Sequence, residues 1–393
     1  MEGESFASWL TRTAAHLELP PGIVAKLLGL DRLKGPGFWP RLFGVILTPA
    51  ARARASAASG LSHRELDEMH LSSYHGKVLD LGGIVPDGPP ALHRLLPLPG
   101  GGGLRFIESA APVRRGHYES FRRSDWWLPN GTRACPQCVE ETGGAWKLSW
   151  RLGAVCACLT HNVLLLDLCP SCQQGLGWSD GGRPRLSCRQ PAEPFLCGNI
   201  LSSQRHNSGQ RCRCQQRVDR LATVPMPDAV YKPLQTYLRA ARGHSIAVGG
   251  MEVPARQWNQ TFLLVAQMAW RALLSAPEKC GAKLPELCVK ALAAMPKPSS
   301  AGTVQAASLL EGPPPNTALT AAVVAIAGEV LSLPNQDDVS DGIAQLAESA
   351  FKTPMNQVLR DLALLHRLPP NERAAYRKSV GSMYRRASDW RSQ

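Results

Sequence analysis

Apolar positions recur at helical spacing through most of the first 75 residues. Residues 4–16 carry Phe6, Trp9, Leu10 and Thr13 on one stripe, the signature of an amphipathic helix. Pro20-Pro21 stops that segment, and residues 23–30 resume it with Gly29 near the end. Thr48-Pro49 opens residues 50–59, with Thr48 as cap and Pro49 at the first helical position. Residues 62–69 follow with Ser62 as cap and Glu65 three residues later, a capping box. Helix, short Gly-containing turn and helix are compatible with a helix-turn-helix.

The periodicity then fails twice. Residues 82–103 hold Gly82-Gly83, Pro86, Gly88-Pro89-Pro90, Pro97, Pro99 and Gly100 to Gly103, which reads as loop or linker. Residues 173–211 are rich in Gly, Pro, Ser and Arg and read as long loops hung from some other organiser. After residue 214 helical patterning returns at 229–241, 254–275, 283–294, 317–331, 341–351, 354–365 and 370–388. Pro and Gly at the ends and few β-branched runs predict an all-α C-terminal domain. Residues 296–315 read as a linker, and no repeat of solenoid period is present.

Composition narrows this picture. The 393 residues are 44 % apolar, enough for two or three packed domains. The longest apolar stretch, near 318–333, is interrupted by Thr320 and Glu329, short of the ~18 apolar residues of a membrane span. The start Met1-Glu2-Gly3-Glu4 has neither a basic nor an apolar region of a signal peptide, so a cytoplasmic location is expected. A net charge of +13 suits a polyanionic partner and equally suits simple solubility.

Ten of the 12 cysteines lie between Cys135 and Cys214. In a reducing compartment such clustering reads as metal ligation. Cys135-x2-Cys138 and Cys158-x2-His161 are two knuckles whose spacers let paired side chains reach one tetrahedral ion, giving three thiolates and one imidazole. Cys169-x2-Cys172 begins a second site, with Cys188, Cys197, Cys212 and Cys214 as candidates to complete it. Cys197 and Cys214 are preferred, with Cys212 the substitute, because a Cys-x-Cys spacer strains two ligands on one metal. Two structural Zn²⁺ ions are expected. Cys156 reads as a buried thiol. The fold class is mainly α with a small zinc-binding module: an N-terminal helix-turn-helix-like domain (1–110), a tandem zinc-binding module (111–222) and a helical domain (223–393).

Cys135-Pro-Gln-Cys138-Val-Glu140, Trp146-Lys-Leu-Ser-Trp150-Arg151-Leu152, Cys158-x2-His161-x3-Leu165 and Cys169-Pro-Ser-Cys172 together closely resemble the TniQ family of transposon target-selection proteins. Glu4-Ser5-Phe6-Ala7-Ser8-Trp9-Leu10-Thr11-Arg12 resembles that family's opening segment, and Cys197-Gly-Asn199 with Arg211-Cys212-Arg-Cys214 resembles one branch's closing knuckle. Gln215 stands where the family pattern has Gly. The resemblance implies a non-catalytic adaptor in DNA transposition. Such an adaptor links target DNA, or a targeting complex such as a CRISPR effector, to an AAA+ ATPase regulator that recruits the transposase. Double-stranded DNA and the ATPase are the expected partners, with homodimerisation open.

Two basic stretches are candidate contacts to nucleic acid or a partner. Arg114, Arg115, Arg122 and Arg123 precede Trp126-Trp127, and Arg377, Lys378, Arg385 and Arg386 lie in the tail; charge beside aromatic surface suits phosphate and base contacts. A solvated surface is the plainer alternative. Trp146, Trp150 and Arg151 are better read as core than as a contact face. Enzyme motifs are missing. His63-Arg64-Glu65 has no Pro-Cys-x-x-Cys after it, and there is no Walker A or H-E-x-x-H. The alternatives to an adaptor are a stand-alone zinc-containing DNA-binding transcriptional regulator and a module that binds protein only.

Overall fold

The computed structural model describes residues 3–30, 44–47, 49–79, 81, 95–97, 104–106, 126–128, 131–176, 193–205, 211–275, 313–314 and 316–350. The chain divides into two compact units, Met1–Pro225 and Met226–Gln393. The described residues are mostly helical, with four two-stranded sheets. No described helix is long and apolar enough to cross a membrane.

The first unit opens with α1 (Phe6–His16) and α2 (Pro21–Leu27). Ser5 caps α1 by accepting from the Ser8 amide at 3.4 Å. Pro21 occupies the first turn of α2, where its missing N–H costs nothing. α3 (Pro49–Ser59) and α4 (His63–Glu68) follow, and both halves of the expected capping box at Ser62 and Glu65 are formed. Thr48 lies outside the described residues. Gly60 between α3 and α4 has a φ of +75°, a turn conformation that favours glycine. Phe6, Leu10, Val24, Leu30, Ala51, Ala55 and Leu66 form one buried cluster across these helices. His70 is buried against Phe6, ring centroids 4.8 Å apart. Burial pushes its pKa down to about 4, so it is neutral at pH 7.

Backbone pairing corrects two loop expectations. β1 (Leu95–Pro97) pairs antiparallel with β2 (Leu104–Phe106), inside and beside the Pro- and Gly-rich stretch read as linker. β5 (Ile200–Arg205) pairs with β6 (Arg211–Arg213) in the stretch read as metal-hung loops. Strands this short need no apolar alternation, because the ladder uses only N–H and C=O groups. Between them, α5 (Pro136–Glu141) and the pair β3 (Ala157–Cys158) and β4 (Val163–Leu164) carry the cysteine knuckles.

The second unit contains α6 (Asp228–Ala241), α7 (Ala255–Ser275), α8 (Thr317–Leu331) and α9 (Gln336–Ala350). It is not all-α. β7 (Ile246–Val248) and β8 (Met251–Val253) form a hairpin between α6 and α7. Gly249 and Gly250 turn it with φ of +54° and +81°, as a two-residue hairpin loop requires. Helical α9 begins before the expected 341, because Asn335 caps it by accepting from the Asp338 amide at 2.9 Å. Tyr237, Trp258, Phe262 and Trp270 fill the interior, with Trp258 stacked on Phe262 at 5.1 Å. On α8, Gly328 faces Pro233 of α6 so closely that an added Cβ would strike the proline ring. The expected helices at 283–294, 354–365 and 370–388 lie outside the described residues.

Candidate metal centres

Two clusters of ligand-type side chains form in the first unit, each with its ligand atoms within 4.8 Å of one another. Cys135, Cys138, Cys158 and His161 make the first, and Cys169, Cys172, Cys197 and Cys214 the second. The side chains of Cys188 and Cys212 lie outside the described residues. Cys156 is fully buried and belongs to neither cluster.

The first cluster is assembled by two tight turns. Cys135 is the N-cap residue of α5, with Pro136 at the first helical position. The Val139 amide donates to the Cys135 carbonyl at 3.0 Å, which folds Cys138 back beside Cys135. Cys158 ends β3, and the turn to β4 passes through Asn162 at a φ of +52°, presenting His161 to the thiols. His161 Nδ1 lies 3.4, 3.3 and 3.6 Å from the sulfurs of Cys135, Cys138 and Cys158. Cys138 and Cys158 are 3.5 Å apart, sulfur to sulfur.

These spacings fit a tetrahedral ion. Bonds of about 2.3 Å to sulfur and about 2.0–2.1 Å to nitrogen give tetrahedral edges near ~3.8 Å (S to S) and ~3.5 Å (S to N). In the second cluster Cys169 and Cys214 are 3.7 Å apart, and Cys172 and Cys197 are 3.8 Å apart. Both clusters therefore could hold a metal ion. All four corners of each are protein atoms, so neither leaves a position for water or substrate.

The second cluster rests on backbone pairing between distant segments. Gly198 donates to the Cys214 carbonyl at 3.0 Å, and the Cys214 amide donates to the Asn199 carbonyl at 2.7 Å. Gly198 itself has a φ of +65°. On the other side, the Cys169 amide donates to Gln174 and the Gln173 amide to Cys169.

Electrostatics within the clusters suit a cation. Hydrogen bonds from Cys135 and Cys138 hold the Cys158 thiol far below its ordinary range. The same sharing holds Cys135 above its own range. Burial pushes Cys197 up. Burial also works against the Cys172 thiolate, but the hydrogen bond from Asn199 helps bring that thiol down. A bound cation would replace the shared protons, since the thiolate is the ligand form.

Sequence reasoning gave no role to three residues around the clusters. Glu141 Oε1 lies 2.9 Å from His161 Nε2, the carboxylate partner that fixes a ligand imidazole with Nδ1 facing the metal. Asn199, 1 % exposed, donates to Cys172 Sγ at 3.4 Å and to the Gly175 carbonyl at 2.9 Å. Thr142 Oγ1 donates to the Cys138 carbonyl at 2.6 Å. The available signals were Glu141 one turn beyond Cys138 and Asn199 two residues beyond Cys197.

The aromatic and basic residues near the knuckles are structural where they are described. Trp126 and Trp127 are fully buried, as are Trp150 and Arg151, and Trp146 is nearly so. Arg151 spends its guanidinium on the carbonyls of Gly44 and Leu128. Arg114, Arg115, Arg122, Arg123, Arg377, Lys378, Arg385 and Arg386 lie outside the described residues. The second helix of the α3–α4 pair carries Glu65, Asp67 and Glu68; Arg64 pairs with Glu68 at 2.7 Å, and Asp67 pairs with Arg52.

Residues 1–165 match the family model described as TniQ. The match takes in the whole first cluster and ends before the second. No curated protein and no solved structure matches the chain significantly.

Proposed function

We propose that this chain, a TniQ-family protein through residues 1–165, is a non-catalytic target-site selection adaptor in DNA transposition. The family itself implies a transposition-related adaptor role. The finer reading is that the chain couples double-stranded target DNA, or a targeting complex bound there, to an AAA+ ATPase regulator that recruits the transposase. Both clusters then hold structural Zn²⁺. The donor sets favour zinc because thiolate and imidazole at tetrahedral corners are its preferred ligands.

The family match over a segment containing a closed Cys3His cluster carries this reading. A closed site gives no open coordination position for chemistry, which agrees with a scaffold rather than a catalyst. The net charge of +13 is compatible with a nucleic-acid partner.

The test is capture of the AAA+ ATPase encoded beside the chain, using zinc-loaded protein, with ATP and DNA each present or absent. ATP-dependent capture is the expected result. No capture in any condition, by protein shown to be folded and zinc-loaded, would overturn the adaptor reading in favour of a stand-alone DNA-binding regulator.

A further inference from the structure

The segment joining the two knuckles of the first cluster is also the docking strip for the amino terminus. The Ser5 amide donates to the Trp146 carbonyl at 2.9 Å, and the Leu148 amide donates to the Gly3 carbonyl at 2.7 Å. Glu4 and Lys147 thereby form an antiparallel bridge. Ser8 Oγ accepts from the Trp146 amide at 2.8 Å while donating to Glu4 Oε1 at 2.7 Å. Glu4, 2 % exposed, is closed by Arg12 at 3.0 Å. Further along the same strip, Arg151 donates to the Gly44 carbonyl at 2.9 Å.

This strip is tied to a metal ligand by one side chain. Thr142 Oγ1 donates to the Cys138 carbonyl at 2.6 Å and accepts from the Ala145 amide at 3.1 Å. The Gly144 amide also donates back to Val139 within α5, at 2.7 Å. A continuous path therefore runs from Cys138 through Thr142 to Ala145 and Trp146, and on to Ser8 and Ser5 of the α1 N-terminus. Glu4 and the Ser8 hydroxyl are buried; the Glu4 carboxylate is held by Ser8 and Arg12 of α1, and the Ser8 hydroxyl also accepts from the Trp146 amide of the strip. Losing the strip would remove the partners of the Ser5 amide and the Gly3 carbonyl and one of the two hydrogen bonds of the Ser8 hydroxyl.

We propose that metal occupancy of the first cluster controls whether α1 is docked, with Thr142 as the positioning residue that transmits it. The amino-terminal helices are then a dependent part of the metal module, and the surface they form is presented only by the metal-loaded chain. The inference rests on the reading of the first cluster as a metal site.

The test is amide hydrogen exchange on the full-length chain, read over residues 3–16 and, as a folding control, over α7 in the second unit, with zinc content measured alongside. Cys138→Ser empties the first cluster. The expected result is one zinc fewer, loss of protection over residues 3–16 and unchanged protection over α7. Thr142→Val should keep both zinc ions, yet speed exchange of the Ser5 and Trp146 amides by about tenfold, as expected for a lost hydrogen bond. If zinc is lost in Cys138→Ser while residues 3–16 keep their protection, the coupling is overturned and the metal reading stands. If Thr142→Val leaves both exchange rates unchanged, the transmitting role of Thr142 is overturned. Wild-type protein holding no zinc at the first cluster would overturn the metal reading and this inference with it.

Discussion

The second unit and the knuckle-bearing part of the first are held together by different means, although α1–α4 of the first unit also share an apolar cluster. In Met226–Gln393 the described helices meet through apolar faces: Tyr237, Trp258, Phe262 and Trp270 are all buried, and nearly every residue of α8 from Thr317 to Ala327 is buried too. In Met1–Pro225 the described segments around 131–220 contain short helices, strands of two to six residues and turns. Seven cysteines and one histidine gather there in two clusters, six of the eight buried, and buried polar groups such as Arg133, Arg151 and Asn199 are held by named hydrogen bonds. Apolar burial is nondirectional and tolerates redistribution. A fold built on ligand clusters and buried polar bonds is directional and fails when one partner is removed.

Metal removal should separate the units most sharply. A strong chelator at neutral pH is expected to abolish the tertiary signal of the first unit, because structural zinc contributes roughly 10–16 kcal/mol in small modules. The helices of the second unit should persist. Tryptophan fluorescence and far-ultraviolet circular dichroism, followed together, check this. Loss of both signals in one step would erase the contrast between the units.

The reciprocal experiment is Phe262→Ala. It empties a fully buried position between Tyr237 and Trp258 and should cost roughly 3–5 kcal/mol. Denaturant unfolding should show this cost in the second unit alone, and zinc content should be unchanged.

Glu141→Gln should have the smallest effect. It keeps a hydrogen-bond partner for His161 but removes the charge. Zinc affinity of the first cluster should fall by roughly 10–100-fold, the usual effect of losing such a partner. A competition titration reads it directly, and the second cluster should be unaffected.

Much of the fold was legible wherever the physics is local. The Ser62–Glu65 capping box and the span Thr317–Leu331 depend on residues near each other in the chain, whereas Pro20-Pro21, read as a stop, places Pro21 inside the first turn of α2. The hairpin β7–β8 and the pairs β1–β2 and β5–β6 were missed, because strands of three to six residues leave no periodic trace. The α9 start was misplaced because its acidic first turn reads as solvent-facing loop, though carboxylates there are favoured by the helix dipole.

The sequence by itself determined which side chains had metal-ligand character: a two-residue spacer is a geometric statement, and it needs no knowledge of the rest of the chain. It also determined the basic charge, the family resemblance and the long apolar helices. Only the tertiary structure decided that Cys197 and Cys214 stand with Cys169 and Cys172, because that choice depends on backbone pairing between segments far apart in the chain. It likewise decided that Trp146 and Arg151 are buried tethers, and that Glu4 and Ser8 reach the strip between the knuckles. Buried polar groups must find partners wherever the fold supplies them, and sequence spacing carries no record of where that is.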